Sequence, residues 1–128
     1  MIQYDKQGKN YILKEEISIK TDIHPDKAIK NKYSSITKAG KITLYPGFLW
    51  DGATGAVDTP KIMQASAMHD FICNEYNCGK LTKEQRELGD KMFKSQLKAA
   101  NMWSFRVKYV YQAVRKFFEV KEWFKKVS

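Results

Sequence analysis

Cysteine, proline and long apolar runs are all scarce in this chain of 128 residues. The 2 cysteines, Cys73 and Cys78, stand five residues apart. That spacing is neither the CxxC of a zinc knuckle nor the start of a disulfide framework, so both read as reduced thiols of a cytosolic protein. No stretch approaches the roughly 20 apolar residues that cross a bilayer. The opening "MIQYDKQGKN" lacks the apolar segment of a signal peptide, so export is expected only if something else carries the protein out. Repeats, low-complexity tracts and linkers are also lacking, and the length suits a single domain, 1–128.

Charge and aromatic content are what the chain does have. It is 43% hydrophobic and 13% aromatic, more than a disordered chain carries, and should fold around one core. The 23 Lys and Arg against 14 Asp and Glu leave a formal net charge of +9. Such a surface attracts nucleic acid, anionic lipid or an acidic cell wall, without specifying which.

The pattern changes near Pro60. Residues 1–59 read as mainly β-strands and loops: "NYILKEEISIK" and "KYSSITKAGKITLY" alternate partially, and the glycine of "TKAGKI" can reverse a hairpin. Between them, "TDIHPDKAIKNK" is polar and reads as an exposed loop. "YPGFLWDGATGAVDT" is a shaped loop, with or without a short strand. Residues 60–128 read as mainly helical. Thr59 and Pro60 open one helix that "NCGK" stops after about Tyr76. Thr82 and Gln85 form a capping box that opens a second, to about Ala100. A third spans about Ser104 to Lys126. The expected fold is α+β: a small antiparallel hairpin or sheet followed by a three-helix half, the first two helices being antiparallel neighbours.

The first helix holds the chemistry. At about 100° per residue, His69 shares a face with Ile62, Ala65, Ile72, Cys73 and Tyr76, and so faces the core. Asp70 points about a quarter turn away and cannot partner its own neighbour. The second helix supplies a partner. Its apolar arc holds Leu88, Met92, Phe93, Leu97 and Ala100, with Asp90 at the edge and Glu84, Glu87, Lys91 and Lys98 outside. Asp90 accepting a ring N–H from His69 would fix the tautomer and stabilise an imidazolium. Asp51, in the glycine loop, is a third candidate for the same pocket. Each has a structural reading beside the catalytic one: a satisfied core histidine, a capping or ion-paired aspartate, a turn-shaping Asp51. His69 and Cys73, four apart, have zinc-ligand spacing, but also fit a core histidine beside a buried thiol.

"YPGFLWDGAT", "MHDFIC", "LGDKMF" and "YQAVRKFF" resemble, in order, the pattern of a phage and prophage family, the domain of unknown function numbered 1353. That pattern is roughly a GF-x-x-D-G-A-S loop, an HD-x-x-Y helix, an AD-x-x-F helix and an AVR helix. The resemblance covers about Tyr45 to Phe118 and places the family's polar residues on Asp51, His69, Asp70 and Asp90. Thr54 replaces the serine, Gly55-Ala56 the following proline, and Cys73 the tyrosine, for which Tyr76 is the nearest substitute. The resemblance implies a phage- or prophage-encoded protein, in the host cytoplasm or associated with the virion.

The helix pair is also locally similar to phospholipases A2, without their disulfides or glycine pattern. That similarity implies His69 as the base that activates water, Asp90 as its orienter, and Asp70 with the loop at Gly52 as a site for a divalent metal, calcium or zinc. Two functions are therefore expected to compete. One is a metal-assisted hydrolase of an ester or amide in lipid or cell wall. The other is a non-catalytic accessory protein whose basic surface binds nucleic acid, anionic lipid, other phage proteins or a host protein. For the second, residues 103–128 carry 7 Lys or Arg and 2 Glu.

Overall fold

A computed structural model describes residues 2–52 and 60–99. Seven strands precede two helices: β1 (Tyr4–Gln7), β2 (Asn10–Leu13), β3 (Ile17–Lys20), β4 (Ile29–Lys30), β5 (Ser34–Ile36), β6 (Lys41–Leu44), β7 (Leu49–Trp50), α1 (Pro60–Asn77) and α2 (Lys83–Ala99). The fold is α+β with every strand pair antiparallel. The predicted Thr59 cap and third helix lie outside the described residues, which contain two helices.

Where one small sheet was expected, there are two, ordered β1-β2-β7 and β3-β6-β5-β4. The alternation of "NYILKEEISIK" is interrupted by Lys14, Glu15 and Glu16, all exposed. The chain therefore leaves the first sheet at Leu13, whose N–H donates to the Phe48 carbonyl at 2.9 Å, and enters the second at Ile17. The glycine of "TKAGKI" does turn a hairpin: Gly40 sits between β5 and β6 with φ +98°, a conformation that L side chains rarely adopt.

The segment "TDIHPDKAIKNK" corrects the expectation of an exposed loop. Thr21, Ile23, Pro25 and Ile29 are buried, and Ile29 lies in β4. Thr21 holds it in place: its N–H and Oγ1 both donate to the Gly40 carbonyl at 2.8 Å, and its Oγ1 accepts from Ile23 N–H at 3.1 Å.

One apolar cluster joins the sheets to α1. It includes Leu13, Ile23, Ile36, Ile42, Leu44, Phe48 and Trp50 from the β half and Met63, Ala67, Met68, Phe71 and Ile72 from α1. Ile62, Ala65, Cys73, Phe93 and Leu97 are buried outside that cluster. Helix α1 is thus enclosed on more than one side, which explains why apolar residues run around it rather than along one stripe.

Candidate functional site

Two features fix α1. On the sheet side, Trp50 Nε1 donates to Ser66 Oγ at 3.1 Å, and Ser66 Oγ donates to the Met63 carbonyl at 2.9 Å. Trp50 is itself 2% exposed and packed among Tyr4, Tyr11 and Phe48. On the other side is α2, which starts at the predicted capping box: Gln85 N–H donates to Thr82 Oγ1 at 3.1 Å, and Thr82 N–H to Gln85 Oε1 at 2.9 Å. Gln85 Nε2 also donates to the His24 carbonyl at 3.0 Å, tying this end to the preceding half.

The helices run antiparallel, since Ile72 meets Gly89 while His69, earlier on α1, meets Asp90 and Phe93, later on α2. Gly89 sets their spacing. A Cβ there would stand 2.8 Å from Ile72 Cγ2, closer than real Cβ atoms approach. The buried face of α2 is Arg86, Gly89, Asp90, Phe93 and Leu97. This is rotated from the expected arc: Leu88 is exposed, whereas Asp90, expected at the edge, is wholly buried. Hydropathy gives no weight to glycine and counts Arg and Asp against burial, so the face actually used was not its most apolar one.

Asp90 Oδ1 lies 2.7 Å from His69 Nε2. The carboxylate oxygen accepts, so Nε2 carries the hydrogen and Nδ1 is left as the basic nitrogen of the neutral ring. The Phe93 ring stacks on the imidazole, centroids 4.7 Å apart and planes 19° from parallel. Cys73 Sγ lies 3.7 Å from Nδ1 and 3.6 Å from Nε2. A sulfur so nearly equidistant cannot lie in the ring plane, where it would collide with Cε1 on one side or the Cγ–Cδ2 bond on the other. It rests over the ring face.

His69, Cys73 and Asp90 are all buried, with one ligand atom from each lying within 4.8 Å of the others. The predicted His69–Asp90 pair is therefore formed, and Cys73 joins it. Asp51, Asp70 and Gly52 do not belong to this group. Asp51 is exposed after β7; Gly52, with φ +82°, packs beside the Tyr11 ring; Asp70 is half-buried on α1 and engaged in interactions of its own.

The sequence reading missed Arg86. It is 2% exposed, one turn before Asp90 on the same face, with its guanidinium 4.9 Å over the Tyr76 ring. The only signal for it was position: Arg86, Asp90, Phe93 and Leu97 recur at helical spacing, a stripe that a hydrophobicity count divides.

The arrangement defines a class of site: a buried imidazole oriented by a sealed carboxylate, with a thiol against it. No family model, curated protein or solved structure matches the chain. The likeness to the phage family therefore rests on the motifs quoted above.

Proposed function

We propose that the chain is a phage- or prophage-encoded hydrolase of an ester or amide in lipid or cell wall, with His69 and Asp90 at its reactive centre. The observation that carries this reading is the 2.7 Å bond between His69 Nε2 and the fully buried Asp90 carboxylate. A carboxylate held there fixes the tautomer and stabilises the positive charge that the ring gains on taking a proton from water. The His69 side chain keeps 10% of its surface and Asp90 none, so a water that reaches the pair meets the ring and not its orienter. The resemblance adds Asp70 and the Gly52 loop as a place for a divalent cation.

The test separates chemistry from architecture. Asp90→Asn keeps the shape and can still accept from Nε2, so the fold should survive with a melting temperature close to the parent's. Hydrolysis of ester and cell-wall substrates should fall by orders of magnitude, as it should for His69→Ala, and the double variant should lose little more than either single one. A wild-type chain that is inert across such a screen, with and without added calcium or zinc, would end the reading. The pair would then be a cross-link between α1 and α2 in an accessory protein.

The second reading has its own observation in the net charge of +9, to which the β half contributes Lys20 and Lys41 directly opposite each other on β3 and β6. Like charges so placed repel unless an anion lies across them. Binding to duplex DNA on this reading weakens steeply with salt and shows little sequence preference.

A further inference from the structure

We propose that His69, Cys73 and Asp90 form a binding site for a zinc-class ion, the three side chains being its protein ligands. The inference goes beyond the hydrolytic reading: it rests on the same three side chains but gives His69 and Asp90 a ligand role in place of the base and orienter roles, and ion binding does not require the chain to be a hydrolase.

The donor set points to the ion. Calcium takes six to eight oxygen ligands, and a group of one imidazole, one thiol and one carboxylate does not serve it. Thiolate and imidazole together suit zinc and its neighbours. Charge agrees as well. A thiolate, a carboxylate and a neutral imidazole carry two negative charges, so a divalent cation leaves the buried site with no net charge, the condition under which ions are tolerated in an interior. His69 and Cys73 are four apart on α1, on one helix face, where a single ion can take a ligand from each; Asp90 comes from the helix packed against them.

The separations set how far the side chains must rearrange to take the ion. Zinc bonds of about 2.0–2.1 Å to nitrogen, 2.0–2.2 Å to oxygen and 2.3 Å to sulfur, at tetrahedral angles, place nitrogen about 3.6 Å from sulfur and about 3.3 Å from oxygen. The observed Nε2 to Sγ separation is 3.6 Å, and Nε2 to Oδ1 is 2.7 Å, the span of a shared proton. When the ion replaces that proton, the carboxylate backs away by about half an ångström and the sulfur swings about χ1 from the ring face towards the Nε2 lone pair. The imidazole proton moves to Nδ1 and the thiol proton leaves to solvent, so binding releases one proton. Three protein ligands leave a fourth position for water, the arrangement of catalytic rather than structural zinc. A bound ion would supply the activation of water, and His69 would then serve as its ligand, so the base role of His69 belongs to the ion-free chain alone.

Cobalt(II) titration of the full chain, followed by absorption, tests the site because thiolate ligation gives a charge-transfer band in the near ultraviolet. One equivalent should produce the band and zinc should abolish it. Cys78→Ser should retain it and Cys73→Ser lose it while keeping a parental circular dichroism spectrum, since serine is nearly isosteric. Asp90→Asn should weaken binding by at least the roughly 10–100-fold that loss of an outer-shell partner costs. Absence of the band from the parent chain, or its survival in Cys73→Ser, would overturn the site. A bound ion in a chain that hydrolyses nothing supports the site and removes the hydrolase. Hydrolysis that persists after complete metal removal, and in Cys73→Ser, keeps the hydrolase and overturns the ion as its cofactor.

Discussion

Two of the buried polar residues of helix α1, His69 and Glu75, stand six positions apart, and the protein treats them differently. His69 meets Asp90 of α2 in a contact walled by Phe93 and Cys73. Glu75 meets the β half and the turn after its own helix: Asn31 Nδ2 donates to its Oε1 at 2.6 Å, and Lys80 Nζ stands 3.7 Å from its Oε2. Lys80 also donates to Asn31 Oδ1 at 3.2 Å, and its side chain is 48% exposed. The Glu75 cluster therefore opens to water along one member, whereas at the other site the carboxylate has no exposure at all. When a partner is lost from an open cluster, solvent can replace it. A sealed pair has no such substitute, so its geometry is held by the packing of two helices, as a proton-transfer or ligand site requires.

The largest expected effect comes from breaking the sealed pair outright. Asp90→Ala removes the acceptor of the His69 Nε2 hydrogen bond, and the loss of a partner from a buried hydrogen bond costs about 1–3 kcal/mol, to which the emptied side-chain volume adds. Glu75→Ala leaves Asn31 and Lys80 near solvent and should cost clearly less. Urea unfolding midpoints at unchanged slope measure both. Equal losses would remove the distinction between the two clusters, and with it the argument that the His69 site is specially held.

A smaller effect sharpens the comparison by altering the helix spacing rather than the pair. Alanine in place of an interior helical glycine ordinarily stabilises by up to about 1 kcal/mol. At Gly89 the new methyl would stand 2.8 Å from Ile72 Cγ2, on a β-branched side chain with little freedom to turn away. Overpacking of this kind costs about 1–3 kcal/mol, so Gly89→Ala should be net destabilising. Ile72→Ala in the same chain removes the clashing methyl, and the double variant should lose less than the sum of the two single changes. A thermal melt in which Gly89→Ala is more stable than the parent would mean that the interface has slack.

How far these features were legible in the sequence depended on whether their signals were local. The Thr82 and Gln85 capping box, the stop after α1 and the hairpin turn at Gly40 each lie within a few residues, and all are formed. The His69–Asp90 contact was legible because helical period and a short connection left few ways to arrange the pair. The two-sheet division was less so, since nothing in "NYILKEEISIK" says that the chain changes sheets, and β1 with its hairpin to β2 at Gly8-Lys9 was not anticipated. Thr21, Ile23 and Pro25 alternate with exposed Asp22, His24 and Asp26, a strand-like burial pattern hidden in a polar segment. Buried Arg86 and the use of Gly89 as the contact point depend on the facing helix, and no propensity of α2 alone encodes them.

The smallest expected effect lies at the open end of the comparison. Lys80 is half-exposed, and its ammonium is 3.7 Å from the carboxylate, a long ion pair in reach of water. Such pairs contribute about 0–1 kcal/mol, because Coulomb attraction is weak in high dielectric and ordering a long side chain opposes it. Lys80→Ala should therefore lower stability by less than about 1 kcal/mol. What remains of the difference should shrink as salt is raised from low to molar concentration, where screening shortens the reach of exposed charges to about 3 Å. Asp90→Asn offers the control, since a pair whose carboxylate is closed to solvent responds little to added salt. Urea unfolding of both variants at two salt concentrations decides the matter. If the Lys80→Ala difference persists undiminished in molar salt, the charge is not what Lys80 contributes, and its hydrogen bond to Asn31 holds the loop before β5 against the end of α1.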